Sequence, residues 1–265
     1  MPDPGSRFSG VAGQYDLVRP RPPADLVAVI TQWASVARPD VVDLGAGTGL
    51  STVIWAGHAC QVTAVEPSSG MRHHAGRRIR EAGTGSGTRF TIVAATAEDT
   101  GLADGCADVV TASQAMHWFD PDRALPEIAR LLRPGGVLAA YDCDWPPCID
   151  WETGAAWEQV AGRVDAEQAR RGIPPVHRGK DHLGRFRASG LFRHCAEIAV
   201  HGREQGDADR LAALAHSAIT HVADFLGDGA GEDELGITSL RETAARRLGE
   251  PLTWWWTYRV RLAIR

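Results

Sequence analysis

The chain has 265 residues, of which 44% are hydrophobic, so it can bury the core of one large α/β domain. Its formal net charge of −5 argues against a nucleic-acid partner, because such binding depends on Lys and Arg that neutralise phosphates. Five scattered cysteines predict reduced thiols and a cytoplasmic protein. We expect no signal peptide, because the first residues lack a charged region followed by an apolar one, and no membrane span, since no run of about 18 apolar residues occurs.

Short apolar runs, often β-branched, alternate with helical patterns over residues 24–142. This alternation is typical of βαβ units, whose parallel strands are buried on both faces. The predicted strands are 41–44, 61–65, 90–94, 107–111 and 136–141. The predicted helices are 24–37, 50–57, 68–82 and 122–132.

The second half of the chain adds helices at 151–171, 183–189, 207–226 and 238–248, and strands at 196–201 and 257–264. We therefore predict one Rossmann-like α/β domain over residues 1–265. Its seven-stranded sheet is mostly parallel with an antiparallel last strand near one edge, and helices cover both faces. The core comprises 24–142, 183–204 and 252–265, and helical insertions at 143–182 and 205–251 form a substrate cap.

A glycine-rich turn follows the first strand directly, with Gly45, Gly47 and Gly49. Such glycines let the backbone turn tightly and approach a ligand closely, although a tight turn without a ligand is the alternative. A dinucleotide site would have a third glycine where Leu50 stands, and Asp43 would repel a pyrophosphate. Without Gly-Lys-Ser/Thr the turn is not a nucleoside-triphosphate loop either. The pattern favours a ligand with an ammonium group.

The segment VDLGAGTG at 42–49 resembles the first motif of class I S-adenosylmethionine-dependent methyltransferases. The family's later motifs follow in order as EPS at 66–68, AED at 97–99, SQAMHWF at 113–119 and ARLLRPGG at 129–136. GQYDLVRP at 13–20 is similar to the N-terminal segment of the small-molecule branch, which includes trans-aconitate and ubiquinone methyltransferases. The resemblance covers residues 8–142 well, whereas 143–253 carry no matching motif.

This resemblance implies S-adenosylmethionine as the cofactor and S-adenosylhomocysteine as its product. In the family, an acid such as Glu66 binds the ribose hydroxyls, the turn at 97–98 contacts adenine, and Tyr and Arg at positions matching Tyr15 and Arg19 approach the cofactor's carboxylate. The implied cofactor-binding residues are Tyr15, Arg19, Asp43, Gly45, Ala46, Gly47, Glu66, Pro67, Met71, Ala97, Glu98, Ser113 and Gln114.

His117 is the candidate catalytic base, because it follows the fourth strand and has a side chain that titrates near neutral pH. Alternatively it holds the geometry of its loop. Substrate contacts are expected from His117, Trp118, Asp144 and Trp145. Asp142 or Asp144 could orient a polar acceptor or cap a loop. The tryptophans of the first insertion favour an apolar or aromatic acceptor.

The sequence therefore predicts methyl transfer to a small-molecule acceptor at O, N or C, such as an aromatic compound or a secondary metabolite. Alternatives are a sensor, a cofactor-binding protein that catalyses another reaction, an RNA or protein methyltransferase, and an NAD-dependent oxidoreductase, which Asp43 and Leu50 disfavour. We expect no nucleic acid, no membrane and no metal, since the spacing of His177 and His182 fits no standard ligand pair. A monomer or a homodimer is expected.

Overall fold

The computed structural model describes residues 18–172, 181–226, 232–248 and 250–265. A single seven-stranded sheet in the order β3-β2-β1-β4-β5-β7-β6 forms the centre of the fold. Its strands are β1 (Asp40–Leu44), β2 (Gln61–Val65), β3 (Arg89–Val93), β4 (Ala107–Ser113), β5 (Leu132–Cys143), β6 (His194–Gly206) and β7 (Leu252–Ile264). The first five strands pair in parallel, and β7 runs antiparallel between β5 and β6. The predicted sheet is confirmed.

Eight α-helices are present in the described part of the chain, together with two short 3₁₀ helices, Thr52–Trp55 and Met116–Trp118. The strand order reverses between β1 and β4, so the carboxyl ends of these two strands open a crevice at the middle of the sheet. The α-helices are α1 (Asp25–Ala34), α2 (Ser69–Gly83), α3 (Pro121–Leu131), α4 (Trp151–Arg170), α5 (His182–Ala188), α6 (Ala208–Leu226), α7 (Glu232–Leu235) and α8 (Ile237–Arg247).

Four predicted elements differ clearly from the structure in type or length, and one of them is β5, which spans Leu132–Cys143 where the sequence predicted a strand at 136–141. The segment predicted as a helix at 50–57 is only the 3₁₀ helix Thr52–Trp55, because the glycine turn immediately before it takes up the chain reversal. Strands β6 and β7 are longer than predicted. They pair with each other over their whole length, from His194 opposite Ile264 to Gly206 opposite Leu252. This long-range pairing extends both strands beyond the segments in which apolar residues alternate.

The inward face of β7 is aromatic, with Trp254, Trp256 and Tyr258 on alternate residues and all buried. They share one hydrophobic core with apolar residues of α4, α6 and α8. Trp256 also meets the edge of the half-buried Trp145 ring at 5.7 Å between centroids. The helices of both predicted insertions thus pack on this end of the sheet, while their role as a substrate cap stays a prediction.

None of the helices in the described ranges combines the length and the apolar character that crossing a membrane requires.

Replacing Trp256 with Ala should lower the free energy of unfolding by about 3 to 5 kcal/mol, because a large buried ring is lost from the core. Trp256 is 1% exposed, whereas its neighbour Trp255 is 51% exposed. Trp255→Ala is the matched control and should cost less than about 1 kcal/mol, the span of strand propensities. Urea unfolding followed by circular dichroism measures both. Equal losses would show that the aromatic face of β7 does not anchor the core.

Candidate active site

The three glycines of the turn after β1 all have positive φ angles, at 64° for Gly45, 56° for Gly47 and 84° for Gly49. A Cβ on Gly45 would lie 2.8 Å from the Cβ of Ala115, and one on Gly49 would lie 3.3 Å from the Cα of Ala75. Both positions therefore need glycine for packing as well as for φ. A Cβ on Gly47 would meet no described atom within 4 Å. The space for a ligand is thus at Gly47.

Glu66 closes the turn from the end of β2. Its Oε2 accepts a hydrogen bond from Gly47 N at 2.9 Å, and its Oε1 accepts one from Ser68 N at 2.8 Å. Ala46 N donates to the carbonyl oxygen of Val65 at 3.1 Å. The acid predicted to bind a cofactor therefore lies directly beside the open space at Gly47.

Asp43 is fully buried beneath the same turn. Its two carboxylate oxygens accept hydrogen bonds from the hydroxyls of Thr52, at 2.6 Å, and Thr111, at 2.7 Å. Burial raises the pKa of Asp43 from 3.8 to about 6, and the charge of Glu66 adds to this increase. Asp43 thus links β1 to β4 and to the segment after the turn. Direct contact with an ammonium group stays a prediction.

The remaining predicted cofactor residues line the ends of β2, β3 and β4. Met71 N donates to Ser68 Oγ at the start of α2, and the carbonyl oxygen of Pro67 accepts from Arg72. Ala97 is buried, and Glu98 accepts a hydrogen bond from Asp120 N at 3.0 Å, which ties the turn after β3 to the start of α3.

Ser113 and Gln114 end β4 next to the end of β5. Gln114 has a left-handed backbone, with φ of 53°, and its Nε2 donates to Cys143 Sγ at 2.7 Å. Ser113 hydrogen-bonds to Tyr141, whose hydroxyl also pairs with Ser51 Oγ at 2.5 Å. Burial raises the pKa of Tyr141 far above its ordinary value. These bonds lock the end of β4 onto β5.

His117 lies in the 3₁₀ helix that follows. Its side chain is only 7% exposed, with Nδ1 at 3.9 Å from Asp142 Oδ1. The ring of Trp118 is 4.9 Å from it, and Trp118 is 40% exposed. Trp118 therefore presents an open aromatic surface beside the site, while His117 is turned inward.

The predicted substrate residues Asp144 and Trp145 lie just past β5. Asp144 is an exposed ion-pair partner of Arg259, with Nε at 2.9 Å from Oδ1. Trp145 stacks on Trp157 at 6.1 Å, and the Arg19 guanidinium lies 4.8 Å from the centre of the Trp145 ring. Arg19 Nε also donates to Ser217 in α6 at 3.3 Å. Arg19 is thus packed against the insertions, and its approach to a cofactor carboxylate stays a prediction.

Two predicted residues, Tyr15 and His177, fall outside the described residues. Among those that the structure describes, no three His, Cys, Asp or Glu side chains cluster to hold a metal ion. The sequence reasoning missed Thr52, Thr111 and Cys143. Thr111 carried a signal, because it is a polar residue within an apolar strand, and the register places it opposite Asp43.

Comparison with known proteins agrees with this geometry. Residues 42–140 match the model of a methyltransferase domain. An uncharacterized methyltransferase of Mycobacterium tuberculosis is 36% identical over 132 residues, which is 49% of each chain. The demethylmenaquinone methyltransferase of Clavibacter sepedonicus is 33% identical over 204 residues, or 61% of this chain and 81% of that one. The chain belongs to the class I S-adenosylmethionine-dependent methyltransferases.

A solved structure of a proposed type II methyltransferase from Anaeromyxobacter dehalogenans shares the whole architecture. It is 27% identical, with a TM-score of 0.69 over 93% of this chain and 97% of that one. By contrast, the match to the mycobacterial methyltransferase spans only about half of that relative's length. Membership of the trans-aconitate and ubiquinone branch stays a prediction.

S-adenosylmethionine suits the residues of this methyltransferase site. The ligand has vicinal ribose hydroxyls, and one carboxylate can accept a hydrogen bond from each of them. It has no phosphate groups that the charge of Glu66 would repel. Glu66 borders the open space at Gly47, where a Cβ would meet no described atom. The residues present therefore fit the cofactor that the family uses.

The titration of Asp43 should make the free energy of unfolding depend on pH. Because its pKa is raised to about 6, the folded state keeps a proton that the unfolded chain loses near pH 4. Stability therefore falls as pH rises from about 4 through 6, by about 3 kcal/mol relative to a chain with no acid there. Urea unfolding between pH 4 and 8 should show this fall as the difference between wild type and Asp43→Asn.

The exposed Asp165 of α4 supplies the control. Wild type and Asp165→Asn should have parallel pH profiles. A difference profile for Asp43→Asn that is flat in pH would contradict the assignment of a raised pKa to Asp43.

Gly45→Ala should destabilise the methyltransferase more than Gly101→Ala does. Both glycines have nearly the same positive φ, 64° and 67°, so alanine costs about 1 to 2 kcal/mol at each for the backbone alone. Only at Gly45 does the new Cβ meet another atom too closely, at 2.8 Å from Ala115. Thermal unfolding of the two variants measures the difference. Equal melting temperatures would mean that the β4 loop shifts freely away from the turn.

Proposed function

We propose that the chain transfers the methyl group of S-adenosylmethionine to a small-molecule acceptor at O, N or C. The observation that carries this proposal is the open space at Gly47, bordered by the carboxylate of Glu66. The demethylmenaquinone methyltransferase relative, named for a small-molecule acceptor, supports the acceptor class. The formal charge of −5 supports an acceptor other than nucleic acid. We propose a monomer or a homodimer that acts without a metal or a membrane partner.

The residues of the turn would hold the cofactor, which supplies a methyl group on a positively charged sulfur. Gly45, Ala46 and Gly47 bring backbone to the ligand, and Glu66 would exchange its bond from Gly47 N for ribose hydroxyls. Asp43 supports the turn from below. Pro67, Met71, Ala97 and Glu98 would border the adenosine portion, as the family resemblance implies.

The acceptor would lie over the ends of β4 and β5. Gln114 and Cys143 meet there, and Trp118 offers an exposed ring nearby. Orientation of the acceptor lone pair toward the methyl carbon can supply much of the rate. His117 is our candidate for the base when the acceptor carries a proton, and Asp144 and Trp145 would complete the walls around the acceptor. Tyr15 and Arg19 would approach the cofactor's carboxylate, as the family resemblance implies.

Calorimetry with S-adenosylhomocysteine tests the cofactor site. The wild type should bind, and Glu66→Ala should weaken binding at least about tenfold, since a carboxylate that accepts from hydroxyls is worth about 1.5 to 3 kcal/mol. Glu81→Ala, at an exposed position of α2, is the matched control and should bind as the wild type does. No binding to the wild type would overturn the proposed function. Equal binding by Glu66→Ala would overturn the placement of the ribose.

A methylation screen tests the reaction itself. The protein, S-adenosylmethionine and a panel of small hydroxyl, carboxyl, amine and carbon acceptors are incubated, and products are detected by mass spectrometry. Any product heavier by one methylene and absent without the protein supports the proposal. Tight cofactor binding with no product across the panel would instead favour a sensor or a different reaction.

A further inference from the structure

A buried group of ionisable side chains lies beside the loop that follows β4. Its members come from five separate elements. Three of them face the carboxylate of Asp142 near the end of β5, and Glu197 joins the group through Arg261. The members are Asp142, His117, His182 of α5, Arg261 of β7 and Glu197 of β6. Four of the five side chains are at least nine-tenths buried, Glu197 being the exception. Burial of this kind is costly unless the charges are paired.

The charges of the group do not cancel. Arg261 Nη1 donates to Asp142 Oδ2 at 2.8 Å, and Arg261 Nε donates to Glu197 Oε2 at 2.7 Å. Arg261 thus lies between two carboxylates. Arg259 Nη1 also lies 3.8 Å from Glu197 Oε1 and Arg259 pairs with Asp144, so two guanidinium groups face three carboxylates and the set carries a net charge of −1 when ionised. Such a set favours a proton on an adjacent imidazole.

The two oxygens of Asp142 differ in what they face. Oδ2 is taken by Arg261 and lies 3.7 Å from His182 Nε2. Oδ1 is buried without a hydrogen bond in the described part of the chain, and it lies 3.9 Å from His117 Nδ1. Asp142 therefore has one spare oxygen, and His117 is the side chain that it faces.

An imidazole that donates through Nδ1 leaves a lone pair on Nε2, which can then accept a proton. A contact of 3.9 Å is longer than a hydrogen bond, and such contacts at active sites often tighten only when the ligands are bound. A carboxylate behind a histidine fixes both the tautomer and the direction of the ring. This matters only when the acceptor has a proton to lose.

We propose that Asp142 is a positioning residue for His117, and that the acceptor is accordingly a hydroxyl compound that is methylated on oxygen. This inference rests on the proposed function. The acceptor O–H bond breaks and its proton passes to His117 Nε2. The oxygen forms its bond to the methyl carbon as the carbon–sulfur bond breaks, and that bond's electron pair stays on sulfur. A carboxylate or a neutral amine has a lone pair ready and needs no such base.

The first test needs no acceptor. Long-range proton–nitrogen NMR spectra of the full chain report which ring nitrogen of His117 is protonated, with His117→Gln used to assign the signals. We expect the proton on Nδ1 in the wild type. Asp142→Asn should lower the pH midpoint of the His117 titration by about 1 or more and mix the tautomers. Asp165→Asn, at an exposed position of α4, should leave both readings unchanged.

Several outcomes would overturn the assignment. A wild-type His117 that is protonated on Nε2 when neutral refutes it, even if Asp142→Asn does not fold after Arg261 loses its partner. An unchanged titration in folded Asp142→Asn also refutes it, as does an equal change in Asp165→Asn. His182 faces the same carboxylate, so its titration is followed in the same spectra, and a response by His182 alone would make Asp142 a structural tie to α5.

The second test concerns the acceptor. In the methylation screen we expect products methylated on a hydroxyl oxygen, with kcat for Asp142→Asn lowered about 100-fold at neutral pH, a typical loss for proton transfer by a positioned base. The acidic limb of its pH profile should move with the His117 titration. Products on carboxylates, amines or carbon alone would overturn the hydroxyl class. Failure to bind S-adenosylhomocysteine would overturn the proposed function. The NMR measurement tests the role of Asp142 independently of that result.

Discussion

The buried carboxylate of Asp43 is the interaction on which the geometry of the site depends. It lies at the end of the central strand and accepts hydrogen bonds from two threonines, one on β4 and one just past the glycine turn. The turn can therefore open only if one of these bonds breaks inside the protein, where an unpaired polar group is costly. Because the pKa of Asp43 is raised to about 6, keeping its buried carboxylate ionised at neutral pH lowers the stability of the folded state. The two threonine hydroxyls bond to different oxygens of Asp43, whereas Asn, the neutral side chain of the same size, has only one acceptor oxygen.

The three glycines of the turn above Asp43 have different roles. Gly45 and Gly49 let the turn press against the β4 loop and α2, and Gly47 alone leaves room above it. Packing thus holds the two outer positions in place and leaves the backbone of the middle one open. The hydrogen bond from Gly47 N to Glu66 adds the end of β2 to the same unit. The proposed binding surface of this methyltransferase is in this way a consequence of close packing beneath it.

Local patterns in the sequence predicted the parallel half of the sheet, because each of its strands is a short apolar run bounded by turn residues. They also predicted the acid at Glu66 and the loop with His117, since both follow such strands directly. Patterns could not reveal the bonds from Thr52 and Thr111 to Asp43, which depend on strand register. Nor could they place Arg261 against Asp142, 119 residues away along the chain. The lengths of β6 and β7 escaped prediction for the same reason, as their ends are fixed by mutual pairing.

The end of β5 connects the sheet to the loop that follows β4. Tyr141 and Cys143 point to the face that holds the aromatic core, and Asp142 points to the opposite face, as alternate residues of a strand must. Cys143 receives Gln114, and Asp142 faces His117, so the one loop after β4 is contacted from both faces of its neighbour. A shift of β5 would move both contacts together. The loop that would touch an acceptor is therefore held by the sheet itself, and the ion pair of Asp142 with Arg261 extends that support to β7.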